Sequence, residues 1–292
     1  MRRTVGTMLL LLAGIATAGE PVGRVTILYD AFGVVSSMQK DWGFAALVEY
    51  AGHRILFDTG NNAEIFAANT RAAGVDLSRL DFAVISHRHL DHTAGISHLL
   101  KMNPQVPIFV PTEAFGVFGS ALPSQFYRKD ESLPAKMRYY AGEPPETMEF
   151  GTVWPGAKFH GVDKTTEVVP GVHLIATVSE VPGTRELREL SLAIRTSMGL
   201  LLVVGCSHPG IERIVEAASA IDRRIYILFG GLHLPNASDE QVSRVGTALH
   251  DTFHVSRMAP GHCTGEPAFA RFSRVWKDDY VFAGVGSVIE LP

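Results

Sequence analysis

Apolar positions along this chain fall into short runs separated by Gly, Pro, Asn and Asp, a pattern of strands punctuated by turns. Val25 to Tyr29 reads as a first strand, Phe44 to Tyr50 as a second and Arg54 to Phe57 as a third, with Ala51-Gly52 turning between the last two. These predict an antiparallel start. Asn61 or Asn62 then caps a helix that runs through Ile65 and Phe66 to about Ala73. Phe82 to Ile85 is the next apolar run; after a polar stretch, Ile96, Leu99 and Leu100 mark a short helix, and Pro107 to Val110 a further strand. Regularity fades from Glu113 to about Pro170. That stretch is rich in Pro, Gly and aromatics (Phe115, Phe118, Phe126, Tyr127, Tyr139, Tyr140, Phe150, Trp154, Phe159), the composition of a lid-like insert. Its aromatics suit a flat or apolar ligand, or equally pack the insert onto the body.

The second half repeats one device. Leu190 to Ile194 alternates as a half-buried strand, Met198-Gly199 turns it, and Leu200 to Val204 returns as a buried one ending at Gly205-Cys206-Ser207-His208, with a helix from about Gly210. Arg224 to Phe229 is another buried strand ending at Gly230-Gly231-Leu232-His233. Ser238 with Gln241 forms a capping box for the next helix, and Val255 to Ala259 leads to Pro260-Gly261-His262. Three strand ends thus deliver a small residue and then a histidine, and ligands gather beyond the carboxyl ends of strands in α/β architectures.

The chemistry concentrates in Ser86-His87-Arg88-His89-Leu90-Asp91-His92. Three imidazoles and a carboxylate in six positions form an N/O donor set for a divalent ion, zinc first, with iron or manganese also open. In an extended strip His87, His89 and Asp91 point one way and His92 the other, so all four do not serve one ion. The chain turns at Asp91 into the short helix, which places Asp91 and His92 at a second position and predicts two adjacent metals. Asp58 ends the third strand within Phe57-Asp58-Thr59-Gly60, either as turn chemistry or as a support for the metal loop. His53, His98, His160, His173, His250 and His254 have no comparable context.

His-x-His-x-Asp-His after an apolar strand, with Phe57-Asp58-Thr59-Gly60 upstream, resembles the metallo-β-lactamase-fold superfamily of metal-dependent hydrolases. The segments 205–210, 230–234, 261–265 and 286–290 resemble its dihydropterin-ribofuranosyl-aminobenzene-phosphate synthase-like branch. The resemblance covers nearly all of the chain after residue 24. It implies an α/β fold, a four-layer αβ/βα sandwich with the metal site at the rim between the two sheets, and two divalent ions. His87, His89, Asp91, His92, His208 and His262 are the ligands carried over or preferred, with Cys206, His233 and Asp58 as further ligands or supports. Two departures stand out. Cys206 occupies the place of a bridging aspartate found in many members, and the intermediate Gly-His-Thr ligand segment is replaced by Thr177-Val178-Ser179-Glu180, so His208 is the preferred third ligand of the first metal. Asp91 is expected to be catalytic, orienting a metal-activated water and shuttling its proton.

The N-terminus adds location. Arg2-Arg3, an apolar stretch from Met8 to Ile15 and Ala16-Thr17-Ala18 read as a signal peptide over 1–18, cut before Gly19. The expected address is periplasmic or secreted, with no stable membrane insertion after cleavage. Residues 19–292 contain no linker or repeat and read as a single domain, with 113–170 its insert. Apolar residues at 46%, charged residues at 19% and a formal net charge of −4 allow a large core and give no sign of a nucleic-acid partner. The expected activity is hydrolysis of an ester, lactone, thioester or phosphoester small molecule. A pterin or ribosyl-phosphate synthase or transferase of the methanopterin-related type, and a non-catalytic metal- or ligand-binding protein, are the alternatives. Cys206 and Cys263 could pair in an oxidising compartment or lie at the metal.

Overall fold

The computed structural model describes residues 22–35, 37–113, 118–123, 127–150, 154 and 156–292. The expected signal peptide, Phe115, Phe126 and the side chain of Phe150 lie outside the described residues.

Two mixed sheets face each other. The first carries strands β1 (Gly23–Tyr29), β2 (Ala45–Tyr50), β3 (His53–Phe57), β4 (Phe82–Val84), β5 (Pro107–Pro111), β8 (Lys158–Val162) and β15 (Val288–Leu291), in the order β15-β1-β2-β3-β4-β5-β8. The second carries β9 (Thr166–Val169), β10 (Val172–Val178), β11 (Arg188–Thr196), β12 (Gly199–Val204), β13 (Ile225–Gly230) and β14 (Arg257–Pro260), in the order β14-β13-β12-β11-β10-β9. A small hairpin of β6 (Ser120–Pro123) and β7 (Thr147–Phe150) belongs to the insert.

Side-chain alternation explains the layers. Val25, Ile27, Val48, Ile55 and Val84 of the first sheet meet Leu192, Ile194, Leu201, Val203 and Phe229 of the second in the central core. The intervening residues Leu200, Leu202 and Val204 face outward and are covered by α4 (Ile211–Ser219), α5 (Asp239–Thr247) and α6 (Glu266–Trp276). On the other outer face Leu47, Leu56 and Ile108 pack under α1 (Ala63–Ala72) and α3 (Ile96–Met102). Residues 200–204 are therefore apolar without a break because both faces are covered. Each such fully buried Leu, Ile or Phe contributes about 1.5–3 kcal/mol through water exclusion alone. Asn62 caps α1, accepting from the N–H of Glu64 and Ile65, and the Ser238 hydroxyl accepts from Gln241 N–H at the start of α5.

Two expectations need correction. The single helix after Asp91 is broken into α2 (Leu90–Thr93) and α3, and between them the chain presses on Thr59 at Gly95, where a β-carbon would sit 2.3 Å from the Thr59 carbonyl oxygen. The irregular stretch is also shorter than 113–170. Residues 158–162 pair in parallel with β5 and 166–169 pair with β10, so both rejoin the main sheets. Within the insert, Phe118 and Trp154 pack against the first sheet's outer core beside Phe159 of β8, and Trp154 Nε1 donates to Ser97 Oγ at 3.0 Å. Phe118 and Trp154 fasten the insert to the body, whereas Tyr139 and Tyr140 are exposed. Among the described residues no helix is long and apolar enough to cross a membrane.

Strand direction fixes where chemistry can gather. β1, β3, β4 and β5 point one way, and their carboxyl ends open onto the same rim as those of β12, β13 and β14. The rim carries Asp30, Asp58, the 86–92 stretch, Cys206 to His208, His233 and His262.

Candidate metal centre

The 86–92 stretch leaves β4 and is anchored by Asp58 at the end of β3. Asp58 is fully buried; its Oδ1 accepts from Ser86 N–H at 2.7 Å, and its Oδ2 accepts from Ser86 Oγ and His92 Nδ1, each at 2.7 Å. Since the Ser86 proton goes to Asp58, the hydroxyl oxygen accepts from His87 Nδ1 at 2.9 Å. This network assigns the tautomers of both rings. His87 and His92 carry their protons on Nδ1, which leaves the Nε2 lone pairs bare and directed into the rim.

The donor atoms around them fall into overlapping groups. His87, His89 and His208 bring three donor atoms within 4.8 Å of one another, and Asp91, His92 and His262 do the same beside them. Within the first group His87 Nε2 lies 3.0 Å from His89 Nδ1. Within the second, Asp91 Oδ2 lies 3.4 Å from His262 Nε2 and 3.8 Å from His92 Nε2. The Cys206 sulfur sits at their junction, 3.2 Å from His92 Nε2 and 3.3 Å from His262 Nε2. Cys206 also forms donor groups with His87 and His92, with His208 and His233, and with His262 and Cys263. Both thiols are buried and free, and Cys263 Sγ donates weakly to the Cys206 carbonyl at 3.7 Å.

Burial and crowding set the charges. Burial drives His87 well below its ordinary value, reinforced by His92, His208 and His89, and pushes His208 down to about 3, with His233 and His89 adding to it. Burial opposes ionisation of Asp91 too, but the hydrogen bond with His262 and the neighbouring imidazoles outweigh it and hold the carboxylate below its usual range. For His262 burial works against the cation, yet Asp91 and then Cys263 raise it to about 10. The Cys206 thiol is pushed well up by burial and by Cys263.

The donor set fits a cation. Both ring nitrogens of His208 and Nδ1 of His262 are buried without a hydrogen-bond partner among the described residues. Leaving such a nitrogen unpaired costs about 1–3 kcal/mol, and a metal taking up one lone pair of His208 removes part of that cost. Imidazole, thiol and carboxylate donors at this spacing match a borderline divalent ion.

The sequence-predicted residues thus come together: His87, His89 and His208 in one group, Asp91, His92 and His262 in the other, and Cys206 between them. Asp58 lies behind the first loop. His233 is exposed at the mouth, its ring 4.2 Å from that of His208. Three further groups escape sequence reading. Asp30, buried at the end of β1, accepts from the N–H of Ala31 at 2.7 Å and of His262 at 2.9 Å. Glu189, buried at the start of β11, accepts from the N–H of Cys206, Ser207 and His208. Burial raises both carboxyls to about 7 against the pull of these donors. Trp42, 48% exposed, places its ring 5.3 Å from that of His262. Asp30 carries a usable signal, an acid closing an apolar strand as Asp58 does; Glu189 and Trp42 carry none.

Residues 53–229 match the family model described as the beta-lactamase superfamily domain. The chain belongs to that superfamily. Across 91% of its length it is 28% identical to 7,8-dihydropterin-6-methyl-4-(beta-D-ribofuranosyl)-aminobenzene-5'-phosphate synthase of Methanocaldococcus jannaschii, covering 95% of that protein. Among solved structures, Tm1679, a metal-dependent hydrolase of the superfamily, shares the fold with a TM-score of 0.67 at 23% identity, over 92% of this chain and 99% of that one. The short form of human tRNase Z (ELAC1) does so with a TM-score of 0.53 at 14% identity, over 92% and 99%. The superfamily and its αβ/βα sandwich, expected from the motifs, are what these likenesses bear out; at such identities the solved structures speak for the fold alone.

Proposed function

We propose that this chain is an exported metal-dependent hydrolase, periplasmic or secreted after removal of residues 1–18, acting on an ester, lactone, thioester or phosphoester. One observation carries the reading: two donor groups lie side by side on an open rim with bare lone pairs facing inward. His87, His89 and His208 would hold one divalent ion and Asp91, His92 and His262 the other, with Cys206 able to join either. Zinc suits this set first, iron or manganese next. Bound there, the ions supply Lewis acidity and lower the pKa of water. Asp91, partly exposed, orients the attacking water and accepts its proton. His233 and Trp42 flank the mouth and contact the substrate. A formal net charge of −4 supports a small molecule over a nucleic acid.

A second reading, a synthase acting on a pterin or ribosyl-phosphate compound, draws on the 28% identity to the archaeal synthase. The test is elemental analysis of the purified mature protein together with activity on phosphodiesters, lactones, thioesters, β-lactams, a structured RNA and a ribosyl-phosphate donor paired with an aryl amine. Two ions per chain and turnover of a hydrolysable substrate are expected. Turnover of the donor pair alone would favour the synthase, and uptake of no zinc, iron or manganese after reconstitution would remove both. For location, residues 1–25 fused to a reporter active only outside the cytoplasm should give signal, with a mature N-terminus at Gly19. Recovery of intact Met1 from the cytoplasm would count against export.

A further inference from the structure

His208 differs from His87 and His92 in how its ring is held. Ser86 and Asp58 fix the rings of His87 and His92 through Nδ1, whereas neither nitrogen of His208 has a hydrogen-bond partner among the described residues. The ring of His208 is placed through its backbone. Glu189 Oε1 accepts from Cys206 N–H at 3.0 Å and Ser207 N–H at 2.7 Å, and Oε2 accepts from His208 N–H at 2.9 Å. Three successive amides aimed at one carboxylate require a curled backbone, and Ser207 lies at φ 62 to provide it. From the other side Ser179 Oγ donates to the His208 carbonyl at 3.1 Å. Ser179 is itself fixed: its N–H donates to Leu187 O at 2.8 Å, its carbonyl accepts from Glu186 N–H at 2.8 Å, and with its own proton committed to His208 its hydroxyl accepts from Thr184 Oγ1 at 2.9 Å.

We propose that Glu189 and Ser179 are positioning residues that clamp the His208 peptide from both sides and so aim its ring into the group with His87 and His89. They do from the backbone what Ser86 and Asp58 do from the ring nitrogens. Ser179 lies in the 177–180 segment that stands where a ligand histidine is expected from the family pattern. Here that segment supplies a hydroxyl that steadies His208 instead. The inference rests on the proposed reading of the two groups as metal sites.

Zinc titration of the full metal-free chain against a competing chelator tests it, with denaturant unfolding of the metal-free protein alongside. Wild type should bind two zinc ions. Glu189→Gln turns one of the three amide donors toward an NH2 group, and should weaken one of the two ions by about 10- to 100-fold and the other by less than about 3-fold, in the range for losing a group that orients a ligand. Ser179→Ala should weaken the same ion by a smaller factor, and Ser179→Thr, which restores the hydroxyl, should return it. Should Glu189→Gln fail to fold, the serine pair decides alone. Equal weakening of both ions, or lowered stability of the metal-free protein with both affinities unchanged, would overturn the clamp. Wild-type protein that binds no zinc would instead overturn the metal reading, and the clamp with it.

Discussion

The two halves of the rim are built in opposite ways. On the first sheet one continuous stretch, His87 to His92, supplies four donors, and side-chain hydrogen bonds that end on a single buried acid, Asp58, lock two of its rings. On the second sheet Cys206, His208, His233 and His262 arrive singly from three strand ends, and buried acids hold the backbone rather than the rings: Glu189 for 206–208, Asp30 for His262. Non-glycine residues in the left-handed region mark this second half, at Ser207, His233 and His262, against Asp58 alone on the first. Single residues delivered from separate strands need sharp local turns, and such backbone persists only where neighbours over-determine it. Orientation by side chain demands a local motif; orientation by backbone demands only topology.

The comparison breaks most directly at Asp58. Asp58→Ala leaves Ser86 N–H, Ser86 Oγ–H and His92 Nδ1–H buried without their acceptor, and each buried donor left unpaired costs about 1–3 kcal/mol. Denaturant unfolding of the metal-free protein should show that loss. Asp30→Ala removes an acceptor for two backbone amides and should cost about 1–3 kcal/mol. A smaller cost at Asp58 than at Asp30 would mean that the first half is not the more tightly networked.

Asp91→Asn comes next. It keeps size and an oxygen donor but removes the charge that pairs with His262, and turnover on any substrate found should fall at least ~100-fold while part of the metal is kept. An Asp91→Asn protein with full metal and full turnover would place the chemistry elsewhere. The halves should also part in stoichiometry. His87→Ala and His208→Ala should each leave close to one ion per chain, and His262→Ala should do the same from the other group, because the two donor groups share no histidine. Loss of both ions in every variant would show that the groups are one cooperative site.

The same contrast governs what the sequence discloses. The heptapeptide 86–92 is legible because period-two alternation within one strip separates His92 from His87 and His89, and the turn expected at Asp91 carries that carboxylate over to His92, as in two of the donor groups. The alternating and unbroken apolar runs likewise disclose the strands of both sheets. His208, His233 and His262 are legible only as residues after strand ends, and their convergence follows from the parallel order β12-β13-β14. Glu189 is hidden because its partners are backbone amides, which leave no trace in residue identity. The 158–169 strands are hidden for another reason: they are short, partly exposed and embedded in a stretch whose prolines and glycines signal turns.

The smallest expected effect concerns the surface beside the second half. The insert's aromatics leave open a ligand wall or packing onto the body; Phe118 and Trp154 take the second course against the first sheet, and Tyr139 and Tyr140 are exposed on the insert itself. The half-exposed aromatic ring that stacks near a candidate donor is Trp42, 5.3 Å from His262. A flat substituent resting on that indole would gain about 0.5–1.5 kcal/mol, the usual worth of an aromatic pair. Trp42→Ala should therefore raise KM for an aryl ester about 2- to 10-fold, with kcat within about 3-fold and KM for the matching alkyl ester little changed, while Tyr139→Ala leaves both substrates alone. An equal rise in KM for aryl and alkyl esters would mean that Trp42 shapes the loop and not the ligand. A selective rise in Tyr139→Ala instead would return the substrate wall to the insert.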